Sequence, residues 1–348
     1  MNALVLTETG LLYQELPAPV CGVDQVRIKL HAAALNHRDQ YIREGKYSKI
    51  VLPAVLGSDG VGTVTEAPSH PELLGKRVVI DPSFAWGDDP RAQGPTYSIL
   101  GMPTQGTFAE EVVVPAENVH RAPEHLTDEQ AAALPLAGVT GYRALMVQGA
   151  LQSGESVLVT GIGGGVASMI MMFALAAGAQ VYVSSRSEEK IARAVEMGAR
   201  PLDPPFGRTG SARGDGSAGP LDSARGDGSA RPFGSAQGDG VDLVVDSIGG
   251  DTVNTLTNIV RPGGRLVFYG ASRGAVPELN LHRIFWKQLQ IIGSTMGTSQ
   301  DFADMLRFVD EKKIVPVVDS TFALSDAEAA FNRLHAAGQF GKIVLRCN

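Results

Sequence analysis

This chain of 348 residues has only two cysteines, Cys21 and Cys347, which stand near opposite ends. They form no metal-spaced set and suggest no disulfide framework, so a reducing compartment is expected. Charge is sparse as well: Asp, Glu, Lys and Arg make up 19% and sum to −7. An acidic surplus argues against nucleic acid or an anionic membrane surface as the main partner. Long apolar runs are missing too. The most apolar stretch, residues 169–177, falls far short of the roughly 20 residues that a membrane span requires. The opening MNALVLTETG has no basic region followed by an apolar core, and so does not read as a secretory signal. A soluble, cytoplasmic protein is the expectation.

A hydrophobic share of 44% over this length is enough for two domains of ordinary size. The most informative stretch is 156–186, SVLVTGIGGGVASMIMMFALAAGAQVYVSSR. Its pattern predicts a strand at 156–160, a glycine-rich turn, an apolar helix and a second strand at 180–184. Such a turn presents bare backbone N–H groups at a helix N-terminus, where dipole and donors both favour a pyrophosphate. Gly161, Gly163, Gly164, Gly165 and Val166 are the candidate cradle, and Ala167 is small enough for close packing on the sheet.

Residues 1 to about 120 read as β-rich, with strand candidates at 1–6, 26–32, 61–64, 77–80 and 108–114. Helical spacing then appears in DEQAAALPLAGVTGYRALM, followed by the alternation of a parallel sheet, with strands expected at 241–247, 265–270 and 291–294. The tail predicts helix 302–311, strand 315–320, helix 325–337 and strand 342–346. Residues 201–240 break this pattern. They hold a degenerate 12-residue repeat, with SARGDG at Ser211 and Ser223 and SAQGDG at Ser235, and read as a flexible insertion. It falls where a doubly wound sheet usually runs a crossover helix, so a weakened edge or cover from another segment or subunit is expected. Its two Arg-Gly-Asp triplets read as by-products of the repeat rather than adhesion ligands.

In a dinucleotide fold the residue after the second strand faces the adenosine ribose. Here that place holds Ser184, Ser185 and Arg186, with Lys190 one turn on and no carboxylate before Glu188. A guanidinium meeting a 2′-phosphate favours NADP over NAD. Arg186 as a solvated helix-start residue is the other reading.

The further motifs AALNHRD (33–39), LPAVLGSDGVGTV (52–64), GTFAEEVVVP (106–115), LPLAGVTGYRAL (134–145), VDLVVDSIGG (241–250), RPGGRLVFYG (261–270) and GKIVL (341–345) follow in order. Together they resemble the medium-chain dehydrogenase/reductase superfamily, and within it the zinc-independent quinone oxidoreductase-like members. The resemblance spans nearly the whole chain except the repeat. It implies an α/β fold: a GroES-like β-rich catalytic domain at 1–124, completed by 294–348, and a Rossmann doubly wound parallel sheet at 125–293. It also implies a homodimer, often joined through the edge of the Rossmann sheet.

Departures from the zinc-dependent pattern bear on the chemistry. Members that use catalytic zinc place cysteine where Asn36 stands, a His-Glu pair at Ser58 and Asp59, and a cysteine near Ala137 or Gly138. Four donors converging tetrahedrally are not available here, so no metal is expected. Hydride addition to a quinone or an α,β-unsaturated carbonyl, with NADPH as donor, is the chemistry this implies. A zinc-free ketone or aldehyde reductase and a non-catalytic, crystallin-like NADPH binder are the alternatives. Asn36 and Thr140 are expected to line the nicotinamide pocket. His37 is either a donor or a residue that orients Asp39 and packs at the domain junction. Asp59 reads as a structural acceptor, Tyr41, Tyr47 and Tyr142 are unranked donors, and Trp86 and Tyr97 suit either the substrate side or the core. Ser247, Gly270 and Ala271 end parallel strands on the ligand side. By resemblance Lys342 reaches the cofactor phosphates, with a solvated lysine as the other reading.

Overall fold

The computed structural model describes residues 1–202 and 240–347. The repeat, its Arg-Gly-Asp triplets and the crossover expected between the flanking strands lie outside those residues.

The N-terminal part builds a mostly antiparallel sheet. Its order is Val119–Arg121, Arg77–Ile80, Asp59–Glu66, Gln25–Ala34, Lys342–Arg346 and Val318–Ala323, with Glu111–Pro115 also paired to Gln25–Ala34. Period-2 burial drives the central strand: Val26, Ile28 and Leu30 are buried, whereas Lys29 between them is exposed. The C-terminal strand Lys342–Arg346 pairs antiparallel with Gln25–Ala34, so the tail completes this sheet.

The second sheet runs Arg200–Pro201, Gln180–Val183, Ser156–Val159, Val241–Asp246, Val260–Phe268 and Gln290–Gly293, all parallel. In sequence order this is 3-2-1-4-5-6, the Rossmann arrangement with its switch point at Ser156–Val159. Unbroken apolar strands such as Ser156–Val159 are buried on both faces, as a covered parallel sheet requires. The helix Gly165–Ala176 covers one face and buries every residue from Ala167 to Ala174. On the other face Leu158, Val244 and Leu266 pack with Leu256 and Ile259 of the helix Val253–Ile259.

Three local differences from the sequence pattern have clear causes. The helical run 128–146 divides into Asp128–Ala132 and Pro135–Tyr142, because Pro135 lacks the N–H that an unbroken helix would use. A hairpin, Asn2–Thr7 with Gly10–Glu15, was not expected, since the second strand is largely exposed and carries little periodic signal. The helix Ser299–Lys312 packs on both parts: its Phe308 meets Phe173 of the Rossmann helix at 5.9 Å, its Asp301 meets Arg143 at 2.6 Å, and its Phe302 meets His120 of the first sheet at 5.0 Å. The chain re-enters the first sheet as a strand at Val318.

Candidate active site

A cleft of about 1140 Å3 runs between the two sheets. That exceeds the usual span for one small ligand and leaves room for a dinucleotide and a substrate together. Its floor is the glycine turn. Gly164 precedes the helix Gly165–Ala176 with no side-chain cap, so the first backbone N–H groups face the cleft. Gly161, at φ +64°, makes the left-handed step out of the strand that a side chain would strain. An ideal Cβ on Gly164 would meet nothing within 4 Å, so the cradle is open where a phosphate would rest. The chain thus fits a dinucleotide held at this helix N-terminus.

Gly161, Gly164, Gly165, Val166, Ser185, Arg186, Lys190, Ser247, Gly270, Ala271, Asn36, His37, Thr140 and Lys342 all line this one cleft. Gly163 does not. Its carbonyl accepts the N–H of Gly341 at 3.0 Å, and the Lys190 stem lies over it. The Lys190 ammonium is tied to the Ala337 carbonyl at 2.7 Å, whereas Arg186 is exposed at the strand end. Deeper in, Thr160 and Asp246, at the C-terminal ends of neighbouring strands, share a hydrogen bond, and Asp246 also accepts Gly249 N.

Lys342, which the resemblance sends to the cofactor phosphates, has its stem against Gly165 at the start of the cofactor helix. Its Nζ donates to Asn36 Oδ1 at 2.6 Å and to Asp59 Oδ2 at 2.7 Å. Asn36 Nδ2 donates to the same Asp59 oxygen at 2.9 Å, and Leu136 N donates to the other at 2.7 Å. Asp59 has no solvent exposure. It is a structural acceptor with both oxygens committed, as its place in the sequence suggested.

His37 opens the helix His37–Arg43 and stands on the cleft wall. Loss of hydration among the surrounding protein, followed by the charges of Lys342 and Lys190, lowers its pKa below the ordinary 6.5. The ring is therefore neutral at pH 7 and can donate through one nitrogen. Asp39 is fully buried and accepts Asn36 N at 2.8 Å; burial pushes it up to about 6. Thr140 is buried with its hydroxyl toward Met296 Sδ at 3.6 Å.

Of the aromatic candidates, Tyr41 and Tyr47 line the cleft. Trp86 and Tyr97 do not: they meet edge to face at 5.2 Å, with the Arg143 guanidinium 5.0 Å over Trp86. Tyr142 packs against Phe173 and Phe308. Sequence reasoning missed Arg38. It is buried beside the site and donates through Nη1 to Ser58 Oγ at 2.6 Å and Leu100 O at 2.8 Å, with Tyr47 stacked on it. A basic residue within the motif LNHRD, between two site candidates and Asp39, was the available signal.

A zinc ion does not fit the residues at the places where the resemblance puts ligands. The Asn36 oxygen is taken by an ammonium. Ser58 donates to Leu100 O and accepts from a guanidinium, and Ala137 and Gly138 offer no side-chain donor. Among the described residues no group of three or more His, Cys, Asp or Glu could hold a metal.

Comparison with known proteins agrees with this architecture. The alcohol dehydrogenase GroES-like domain family matches residues 22–124, and the zinc-binding dehydrogenase family matches 165–311. A zinc-type alcohol dehydrogenase-like protein, YogA, from Leptosphaeria maculans is 35% identical, covering 94% of this chain and 92% of its own. Acryloyl-coenzyme A reductase of Sulfurisphaera tokodaii is 27% identical over 99% of this chain and 100% of its own. A crystal structure of an NAD-dependent alcohol dehydrogenase superposes with a TM-score of 0.87 at 33% identity, covering 100% of both chains. With a GroES-like sheet, a Rossmann sheet and a cleft between them that suits a pyridine dinucleotide, the chain belongs to the medium-chain dehydrogenase/reductase superfamily of oxidoreductases.

Proposed function

We propose that this protein is an NADPH-dependent oxidoreductase that passes hydride, without a metal, to a quinone or an α,β-unsaturated carbonyl compound. The observation that carries the reading is the buried Lys342–Asn36–Asp59 cluster, which puts a side-chain cation and an amide where a Lewis acid would otherwise stand. Polarising a simple ketone is hard without a metal, whereas a conjugated acceptor needs only donors for the oxyanion that forms. When bound, the reduced nicotinamide supplies the hydride.

The chain's own residues do the rest. The helix Gly165–Ala176 holds phosphate at its N-terminus, and Ser247, Gly270 and Ala271 border the cleft beyond it. Thr140 and Asn36 bound the nicotinamide side, and neutral His37 offers a donor at the acceptor's oxygen. Arg186, exposed at the end of Gln180–Val183 with serines beside it, supports NADP over NAD. Activity of the purified protein with NADPH against a mixed quinone and enone panel, followed by absorbance of the reduced nicotinamide, tests the reading. Flat traces beside clear NADPH binding would sink it.

The similarity to an NAD-dependent alcohol dehydrogenase favours a second reading, zinc-free reduction of ketones or aldehydes. Product analysis separates the two: a saturated carbonyl marks the first, an alcohol the second.

A homodimer forms, on this reading, through the edge strand Gln290–Gly293. Ile291 on that strand and Leu281, Phe285 and Trp286 on the adjoining helix Leu281–Trp286 are exposed, a patch of the kind that subunit contact covers.

A further inference from the structure

We propose that the Lys342 ammonium is the cationic centre of this active site: it stands in for a metal and donates to the acceptor oxygen that gains negative charge as hydride arrives. The proposal rests on the hydride-transfer reading and names the group that makes it work.

Three observations converge on Lys342. Its stem lies against the start of the cofactor helix, since an ideal Cβ on Gly165 would come within 2.6 Å of Lys342 Cδ. Its head is held at 2.6 Å by Asn36 Oδ1 and at 2.7 Å by Asp59 Oδ2. An ammonium carries three donors, and these contacts use two, which leaves one N–H on a side chain that borders the cleft. The lysine therefore bridges the phosphate cradle and the Asn36 wall, the interval that a nicotinamide and its acceptor must occupy.

The charge arrangement suits this role. Asp59 neutralises the buried ammonium and, with both oxygens committed, is not free to take protons from substrate. A second cation, Arg38, holds Ser58, so three of the places that resemble metal-ligand positions, Asn36, Ser58 and Asp59, are each bound by a basic side chain. Fixed cations aimed at the site of developing charge need no reorganisation when that charge appears.

The step balances as follows. Hydride leaves C4 of the reduced nicotinamide and bonds to the acceptor's β-carbon. The alkene pair becomes the new bond between Cα and the carbonyl carbon, and the carbonyl pair moves to oxygen. The cofactor is oxidised and the substrate reduced by two electrons. Lys342 donates a hydrogen bond to the enolate oxygen, and water then delivers a proton to Cα.

The test uses the full chain with NADPH and 2-cyclohexen-1-one. Lys342→Met removes the charge at similar length; Lys342→Arg keeps it. The expected result is a fall in kcat of about 100-fold or more for Met, the scale of losing one oxyanion donor. The NADPH Kd, read by fluorescence titration, stays within about threefold, and Arg recovers at least about a tenth of the lost rate. Unchanged kcat in the Met variant, or an NADPH Kd that rises in step with the lost rate, overturns the proposal. The second result would return Lys342 to phosphate holding. Should Lys342→Met not fold, the double variant with Asp59→Asn leaves no unpaired buried charge and takes its place. Cobalt(II) added to the wild type gives an answer independent of turnover. No retained metal and no visible ligand-field bands are expected; stoichiometric cobalt that is lost in Asn36→Ala overturns the proposal. A wild type that binds NADPH but reduces no quinone or enone overturns the hydride-transfer reading itself. An active wild type with an unaffected Met variant overturns only the role of Lys342.

Discussion

Asp59 accepts the backbone N–H of Leu136 at 2.7 Å, so a carboxylate of the first sheet sets where the helix Pro135–Tyr142 begins. The same carboxylate holds Lys342, which comes from the far end of the chain. Asp59→Ala strands that ammonium in a site with 4% side-chain exposure and should cost about 3–5 kcal/mol, the penalty for breaking a buried pair from one side. Chemical denaturation checks this: a loss below about 1 kcal/mol would mean the ammonium finds other acceptors.

Gly164→Val tests the cradle. At φ −73° and with open space around its ideal Cβ, this position accepts a side chain with little strain. The variant should fold with a stability change of under about 1 kcal/mol, as for an N-cap substitution. The added methyls would stand in the mouth of the phosphate site, so NADPH affinity should fall at least about tenfold, a loss near 1.4 kcal/mol. Fluorescence titration with wild-type affinity in the variant would move the dinucleotide elsewhere.

Arg186→Ala addresses cofactor choice. One charge-assisted bond to a 2′-phosphate is worth on the order of 1.5–3 kcal/mol, so the NADPH-to-NADH ratio of kcat/KM should drop roughly 10- to 100-fold. A ratio unchanged by the substitution would make Arg186 a solvated surface residue.

Asp81 predicts a pH-dependent stability. Burial first of all, with the nearby Asp301 charge adding to it, pushes its pKa from 3.8 up to about 7. Between pH 4 and 7 the folded chain keeps a proton that the unfolded chain releases, so this group's contribution falls as pH rises and levels off above 7. Asp81→Asn should match the wild type near pH 4 and exceed it by roughly 2–4 kcal/mol above pH 7. Tm measured across that range decides; a constant difference would point to lost hydrogen bonding with Ser83 N instead.

Ile291→Lys places charge on the exposed edge strand and Trp286→Glu on the helix beside it. Light scattering should report a monomer for both and a dimer for the wild type. A wild-type monomer would remove the edge from the list of interfaces.

Much of this was legible in the sequence for local reasons. The strand–turn–helix–strand at 156–186 is written in apolar runs and glycines, and the structure reproduces it to within one residue at each strand end. The strand at 342–346 is likewise where its apolar run at 343–345 puts it. The helix Glu188–Glu196 was legible only at its start, in the reading of Arg186 as a helix-start residue with Lys190 one turn on; its sequence is mostly charged and buries only Ala194. Nor does the sequence say that the helix Ser299–Lys312 packs on both parts, with Phe308 against Phe173 of the Rossmann helix and Phe302 against His120 of the first sheet.

The residues themselves determined the two-sheet architecture, the glycine-rich turn ahead of the helix Gly165–Ala176 and which side chains stand at the places the resemblance gives to metal ligands, because backbone preference, hydrophobic period and ligand chemistry are local properties. Only the tertiary structure decided what Lys342 does. It stands 306 positions from Asn36 and 283 from Asp59, and a lysine after a glycine before a last strand reads equally well as a phosphate ligand or a surface charge. Antiparallel pairing of that strand with Gln25–Ala34 brings the side chain to the Asn36 wall, where a buried carboxylate awaits it. Contacts between ends of a chain depend on sheet register and domain closure, which no short stretch of sequence encodes.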